Sequence, residues 1–391
     1  MASSQPVLDL PCEPAGFSIE AQGHAFTFFP GGHERLAALL GLIDSARERL
    51  ILAFYIFATD RCSALVRDAL TRAAARGVEV RVIVDGFGAD ADEAFFAPMI
   101  DAGGHYCTFQ AKWSRRYLIR NHQKLVVADR RVAMLGGFNV EDGYFVGRDE
   151  GGWTDLAFTV EGPVVERIET WFDQLEHWCL YREDQFIAIR RMVRRWDAGS
   201  GPVQLLIGGP TLGLSSWARG VSHDLLEGDR LDIMMAYFSP PRSLARRICR
   251  IARKGRTRLI LSARSDNPAT VGATRAYITK LLRAEVEVHE YSARKLHTKL
   301  IVLDDAVYLG SANFDVRSLY LNLEIVLRIE DAALAARMRE LLDEYLPDTV
   351  RVTRADHAAR ANIWNRIRWR LSWFLVSVVD YTVSRKLNLG L

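Results

Sequence analysis

The chain has 391 residues, 49% hydrophobic and 25% charged, with a formal net charge of +3. That composition excludes a disordered chain and leaves room for two or three domains of roughly 100–200 residues each. Near-neutral charge excludes a global electrostatic pull toward nucleic acid, so any phosphate-bearing partner must be met by local basic patches.

Residues 1–20 lack a basic stretch followed by an apolar core, so no signal peptide is expected. No run approaches the roughly 18 apolar residues of a spanning helix, so a soluble or membrane-surface protein is expected. Residues 33–51 carry helical apolar spacing at Leu36, Leu39, Leu40 and Ile43. Residues 50–57 (LILAFYIF) read as a buried strand ending at Tyr55. A helix over 62–76 is closed by Gly77, and residues 78–84 (VEVRVIV) form the next strand, before Asp85-Gly86.

The second half repeats this order. Residues 231–238 (LDIMMAYF) read as a strand ending at Tyr237, residues 241–254 as a helix closed by Gly255, and residues 258–262 as a strand leading to Ser265-Asp266-Asn267-Pro268. The predicted class is α/β, with two similar domains of mixed, largely parallel sheets flanked by helices and packed about a pseudo-twofold axis. The expected boundaries are an extension over 1–29, a first domain over 30–197, a second over 203–350 and a basic, aromatic tail over 351–391. The small-residue segment 197–202 serves as the linker.

Within the repeat lies a motif. The first copy reads Asn121-His122-Gln123-Lys124, Asp129, then Gly136-Gly137-Phe138-Asn139; the second reads Leu296-His297-Thr298-Lys299, Asp304, then Gly310-Ser311-Ala312-Asn313. On a strand, His and Lys two apart share a face, and the apolar runs 125–128 and 300–303 suit buried strands that hold each pair rigid. This set suits phosphodiester transfer. Lys124 and Lys299 place positive charge against non-bridging phosphate oxygens, and the Asn139 and Asn313 amides donate to the same oxygens. One neutral imidazole attacks phosphorus, and the other protonates the leaving alkoxide and then deprotonates the acceptor. One site needs two histidines, and the duplication supplies them. The other seven histidines have no partners at metal-ligand spacing and are read as structural or surface residues. The five cysteines, at 12, 62, 107, 179 and 249, form no Cys-x-x-Cys pair and are read as reduced thiols.

These residues resemble the phospholipase D superfamily, whose signature is H-x-K-x(4)-D-x(6)-G-S-x-N. Gly137 replaces the serine in the first copy, and the second has one residue fewer between Asp304 and Gly310. Using Asp305 instead would break the Lys-to-Asp spacing, so Asp304 is preferred; the shortening should move a turn and not the His-Lys pair. Within the superfamily the chain is similar to bacterial cardiolipin synthases. The similarity rests on Tyr55-Ile56-Phe57, the segments 136–144, 153–155 and 160–163, Tyr237-Phe238, the segments 265–268 and 310–315 with Arg317-Ser318, and Asn322 and Glu324 in an N-x-E pattern.

The resemblance implies a metal-independent phosphatidyltransferase without cofactors. It would make cardiolipin from two phosphatidylglycerols, peripherally at the cytoplasmic face of the bacterial inner membrane. Phospholipase D hydrolysis to phosphatidic acid, or a phosphodiesterase or nuclease of the same superfamily, are the alternatives. It assigns the nucleophile to His122 and the acid/base to His297, with Asp129 and Asp304 orienting and polarising histidines. Asp155 and Glu324 follow the motifs at similar places and read either as histidine-orienting or as structural carboxylates. The expected partner is an anionic phospholipid surface carrying phosphatidylglycerol. Nucleic acid is not expected, and an oligomer is not required. Arg366, Arg368 and Arg370 interleaved with Trp364, Trp369 and Trp373 fit either an interfacial membrane helix or a helix packed on the core. Arg190, Arg191, Arg194 and Arg195 read as a solvated helix face, while Lys112, Arg115, Arg116 and Arg120 are candidates for the mouth of the site.

Overall fold

The computed structural model describes residues 13–110, 119–180, 185–264 and 268–376. The chain opens with a hairpin of β1 (Phe17–Ala21) and β2 (His24–Phe29), followed by α1 (Gly32–Ser45), β3 (Arg49–Phe54), α2 (Arg61–Ala75), β4 (Glu79–Asp85), α3 (Glu93–Asp101) and β5 (His105–Phe109). The motif strands β6 (Lys124–Ala128) and β7 (Val132–Gly136) come next, then β8 (Ala157–Glu161), α4 (Val164–Leu180) and α5 (Gln185–Arg195). These strands form one sheet in the order β1-β2-β8-β7-β6-β3-β4-β5.

The second half runs β9 (Val203–Gly208), α6 (Ser216–Glu227), β10 (Arg230–Met235), β11 (Phe238–Ser239), α7 (Arg242–Lys254), β12 (Arg256–Ser262), α8 (Pro268–Arg283) and β13 (Glu287–Tyr291). Then follow β14 (Lys299–Leu303), β15 (Ala306–Gly310), β16 (Phe314–Asp315), α9 (Val316–Tyr320), β17 (Glu324–Glu330), α10 (Ala332–Glu344), β18 (Thr349–Arg351), α11 (Arg354–Arg360) and α12 (Ile363–Phe374). The second large sheet has the order β18-β13-β12-β10-β14-β15-β17-β9. Seven strands correspond one to one: β2, β3, β4, β5, β6, β7 and β8 match β9, β10, β12, β13, β14, β15 and β17 in position. The α/β class and the two similar halves are as expected.

The sheets are mixed, but not largely parallel. In each, parallel pairing joins only the three strands linked by crossover helices: β3, β4 and β5, then β10, β12 and β13. The motif strands are joined by turns too short for a crossover, which forces them antiparallel. The one-residue difference between the motif copies lies in these turns. Ala128 pairs with Val132 across three residues, and Leu303 with Ala306 across two.

Three buried clusters build the layers. One lies under α1, α2 and α3, another under α6, α7 and α8, and the third lies between the two sheets, where α4 and α10 contribute Trp171, Phe172, Leu334 and Met338. The halves therefore share a core. Other expectations shift. Residues 17–29, taken as an extension, are sheet strands whose alternating Phe26 and Phe28 enter the shared core. Helix α1 stops at Ser45 and does not reach 51, because the N–H groups of Arg47, Glu48 and Arg49 all donate to the Asp129 carboxylate. Gly255 ends α7 for want of space, since a Cβ there would lie 1.9 Å from the Asp229 carbonyl oxygen. Of the expected tail, residues 351–374 are docked on the second half: β18 pairs with β13, and both α11 and α12 pack on α8. Lys112, Arg115, Arg116 and Ser265-Asp266-Asn267 lie outside the described residues.

Candidate active site

Two backbone bridges, each of two hydrogen bonds, clasp the halves together. Asn121 bridges Leu323, with the His122 N–H donating to the Leu323 carbonyl (3.0 Å) and the Leu323 N–H to the Arg120 carbonyl (2.9 Å). Thr154 bridges Leu296, with the Thr154 N–H donating to the Lys295 carbonyl (2.9 Å) and the His297 N–H to the Thr154 carbonyl (2.7 Å). The residue before each histidine is thus tied to the residue before a carboxylate of the opposite half.

The side chains follow the backbone. His122 Nδ1 lies 3.0 Å from Glu324 Oε1, and His297 Nδ1 lies 3.1 Å from Asp155 Oδ2. Each imidazole is held by a carboxylate from the other domain. Ser311 Oγ donates to Glu324 Oε2 at 2.5 Å and fixes that carboxylate. In the first half the matching position is Gly137, where a Cβ would sit 2.6 Å from Asp155 Oδ1. The missing serine leaves the volume that the Asp155 carboxylate occupies.

The lysines lie behind the histidines. Lys124 Nζ donates to the His122 carbonyl at 2.7 Å. Lys299 Nζ donates to the His297 carbonyl and also lies 2.9 Å from His297 Nδ1. Both histidines open on one cavity of about 760 Å³ between the halves, with Asn139 and Asn313 on its wall. Asn139 Oδ1 accepts from the Ile56 N–H and its Nδ2 donates to the Tyr144 hydroxyl, so the amide group is fixed. Aromatic rings enclose the imidazoles: Tyr55 is 4.9 Å from His122, and Tyr144 and Trp153 are 5.1 and 5.6 Å from His297.

Burial sets the protonation. It pushes His122 down to about 4, opposed by Glu324 and reinforced by Lys124 and Lys299. Burial, then Lys299, push His297 down to about 3. Lys124 falls to about 7, chiefly through burial. Each histidine feels the lysine of the other half, so the two motif copies share one electrostatic site. Both imidazoles are thus neutral at pH 7, the form a nucleophile needs.

The profile of the family described as "Cardiolipin synthase, PLD-like domain" matches residues 39–176 and 225–346, more than half of the chain. The chain belongs to that family. It is an enzyme of the phospholipase D type. Among similar proteins, the cardiolipin synthase of Oceanobacillus iheyensis is 27% identical over 352 residues, covering 86% of this chain and 72% of the relative. The major cardiolipin synthase of Bacillus subtilis is 29% identical over 358 residues, covering 89% and 74%. A crystal structure of phosphatidylserine synthase from Haemophilus influenzae superposes with a TM-score of 0.71 at 16% identity, covering 96% of this chain and 97% of that one, a likeness of fold.

Two site residues expected from the cardiolipin synthase resemblance lie elsewhere. Asp129 and Asp304 sit in the hairpin turns at the ends of β6 and β14 remote from the histidines, both in the left-handed region at φ 50°. Asp129 accepts three backbone N–H groups at 2.8 to 2.9 Å, and Asp304 accepts those of Asp229 and Arg230. Burial tends to raise the Asp129 carboxyl, but the N–H donors outweigh it and hold it below the usual range. The carboxylates that the resemblance assigned to polarising the histidines instead pin each turn to the strand beside it. The carboxylates at the imidazoles are Asp155 and Glu324.

Sequence reasoning also passed over the residues that hold these groups. Arg35, fully buried, donates to the carbonyls of Pro30 (2.8 Å), Asp155 (2.7 Å) and Tyr144 (2.5 Å). Gln123, between His and Lys, donates to the Glu324 carbonyl and accepts from the Trp171 indole N–H. Neither stood out in the sequence, since Arg35 follows His33-Glu34 at the start of α1 and Gln123 lies within the polar run 121–124. Arg120 lies at the cavity mouth with its guanidinium 3.6 Å above the Phe87 ring. Among the described residues, no three His, Cys, Asp or Glu side chains gather as a metal site, and Cys62, Cys107, Cys179 and Cys249 are free thiols.

The depressed histidines predict acid lability. A group whose folded pKa lies below its unfolded value of about 6.5 lends its full stability above that value and loses it as pH falls toward the folded pKa. Stability is therefore expected to drop between about pH 6.5 and 4, by on the order of 2 kcal/mol per histidine at pH 5. Thermal melts at pH 7 and pH 5 check this: His297→Gln, neutral throughout, should show a smaller fall in Tm than the parent. An equal or larger fall would disprove it.

Proposed function

We propose that the protein is a phosphatidyltransferase that joins two phosphatidylglycerols into cardiolipin and releases glycerol, as a peripheral protein at the cytoplasmic face of the bacterial inner membrane. The observation that carries this reading is the pair of imidazoles, each backed by a carboxylate of the opposite half, opening on one cavity. The names of the similar proteins support the choice of lipid.

The two histidines differ in a way that supports separate roles. On His122 only a carboxylate meets Nδ1, so Nδ1 holds the proton and Nε2 presents its lone pair to the cavity. On His297 the Asp155 carboxylate meets Nδ1 and balances the charge of a ring that takes up and passes a proton at Nε2, against the opposing charge of Lys299, whose Nζ lies 2.9 Å from the same nitrogen. We assign His122 as nucleophile and His297 as acid/base.

His122 Nε2 attacks the phosphorus of the first phosphatidylglycerol. A P–N bond forms, the P–O bond to glycerol breaks, and the departing alkoxide takes a proton from His297. The anionic phosphodiester raises the proton affinity of the imidazoles as it enters, so His297 carries that proton into the complex. His297 then removes the proton from the terminal hydroxyl of a second phosphatidylglycerol, whose oxygen displaces His122 from phosphorus. Lys124, Lys299, Asn139 and Asn313 stabilise charge on the non-bridging oxygens throughout.

Mass analysis of lipids after incubation with phosphatidylglycerol vesicles tests the reading. Cardiolipin with an equal amount of free glycerol is expected, at a rate unchanged by a chelator. Phosphatidic acid without cardiolipin would make water the acceptor. No lipid product, or cleavage of DNA in its place, would overturn the reading.

A further inference from the structure

Helix α12 has two faces with different fates. One is docked: Trp369 is 5% exposed and stacks on His357 at 5.3 Å, and the Trp373 indole N–H donates to the Tyr277 hydroxyl at 2.8 Å. The backbone approaches closely too, since a Cβ at Gly272 of α8 would fall 2.5 Å from Ser372 Oγ. The rotation of the helix about its axis is thereby fixed.

The opposite face is apolar and faces solvent. Ile363, Trp364, Ile367, Leu371, Phe374 and Leu375 are 67, 77, 52, 54, 47 and 46% exposed. At 100° per residue these six positions fall within one arc of about 120°. The exposed Arg366 and Arg370 flank one edge of that arc and Arg368 the other, and residues 363–376 contain no acidic side chain. Large apolar side chains left in water on a firmly anchored helix need a partner. The cationic rims specify one with a negative surface, and no helix among the described residues is long and apolar enough to cross a bilayer. The helix also leads to the active site, for Val376, just past its end, lines the catalytic cavity together with Thr270. Phe87, 64% exposed, stands on the same rim.

From this we propose that the exposed face of α12 is a docking surface for the interface of an anionic phospholipid bilayer, holding the mouth of the catalytic cavity against the lipid. The proposal rests on the reading of the substrate as a phospholipid. The apolar stripe enters the boundary between headgroups and acyl chains, the arginines pair with lipid phosphates, and Val376 and Phe87 bring the cavity rim to the same level.

The test uses the full chain and a double variant, Ile367→Glu with Leu371→Glu. Both side chains are more than half exposed, so folding should be retained, as an unchanged Tm would verify. The parent should float with vesicles of phosphatidylglycerol and phosphatidylcholine, and at least tenfold less with phosphatidylcholine alone. The variant should lose at least tenfold in flotation and in turnover of vesicle phosphatidylglycerol, while turnover of a monomeric short-chain phosphatidylglycerol stays within about twofold. A variant that floats like the parent overturns the proposal. So does a parent that is a dimer in size exclusion while the variant is a monomer, since the face would then meet a second copy. Flotation that depends on the stripe in a protein that turns over no phospholipid would uphold the docking surface and remove the substrate reading.

Discussion

Replacing His122 by alanine is expected to abolish phosphatidyl transfer, with a fall in kcat of about 10⁴-fold or more, and His297→Ala should do the same on natural substrates. The two losses have different chemical causes and can be told apart. Without His122 no P–N bond forms, whatever the leaving group. Without His297 the attack still occurs, but the alkoxide departs unprotonated. A p-nitrophenyl phosphodiester needs no acid to expel its leaving group, so His297→Ala should release one equivalent of nitrophenol in a burst and then stall, with a covalent phosphoryl adduct on the peptide containing His122. His122→Ala should give no burst. A burst from His122→Ala with the adduct on His297 would reverse the assignment, and a burst from neither, with natural turnover intact, would remove covalent catalysis altogether.

Asp155→Asn and Glu324→Gln are expected to lower kcat by about 10³-fold, while Asp129→Ala and Asp304→Ala leave kcat within about threefold and lower stability instead. An amide in place of a carboxylate offers its N–H₂ as readily as its oxygen, so it neither fixes the Nδ1–H tautomer nor balances an imidazolium. His297 should suffer from Asp155→Asn and His122 from Glu324→Gln, each across the domain boundary. Asp129 works differently. Removing its carboxylate strands three backbone donors and leaves alanine in a left-handed conformation, for a cost of about 2 kcal/mol. Steady-state kinetics paired with thermal melts separates the two classes. A large kcat loss at unchanged Tm in Asp129→Ala would restore it to the chemistry, and a large Tm loss with normal kcat in Asp155→Asn would make Asp155 structural.

Much of this was legible in the sequence, and the reasons for the gaps are physical. Two apolar strands ending near Tyr55 and Tyr237, each followed by a helix and a glycine, disclosed the duplication because strand and helix periods are local properties. The His-x-Lys pairs were visible because a period of two places both side chains on one face. Sheet direction was not visible, since apolar runs such as residues 125–128 look alike in either orientation. The Asp129 and Asp304 roles were misplaced because spacing along a chain does not report which end of a strand faces the site. Nor could the pairing of His122 with Glu324 be read, for it depends on the bridge between Asn121 and Leu323, a contact between halves that no local pattern encodes. The exposed stripe of α12 was half legible. Its arginines and tryptophans signalled an amphipathic helix, but only packing decided that Trp369 and Trp373 turn inward while Trp364 turns out.

The two backbone bridges also bear on how substrate gets in and out. Many clefts between two lobes work as jaws that swing shut on their contents and open again to let them go. Here any such swing would break four main-chain hydrogen bonds, at a net cost of about 4 kcal/mol, and would part each imidazole from its carboxylate in the same movement. The halves are better described as a welded frame than as a hinge. Substrate is therefore expected to enter and leave without a large swing of one half against the other.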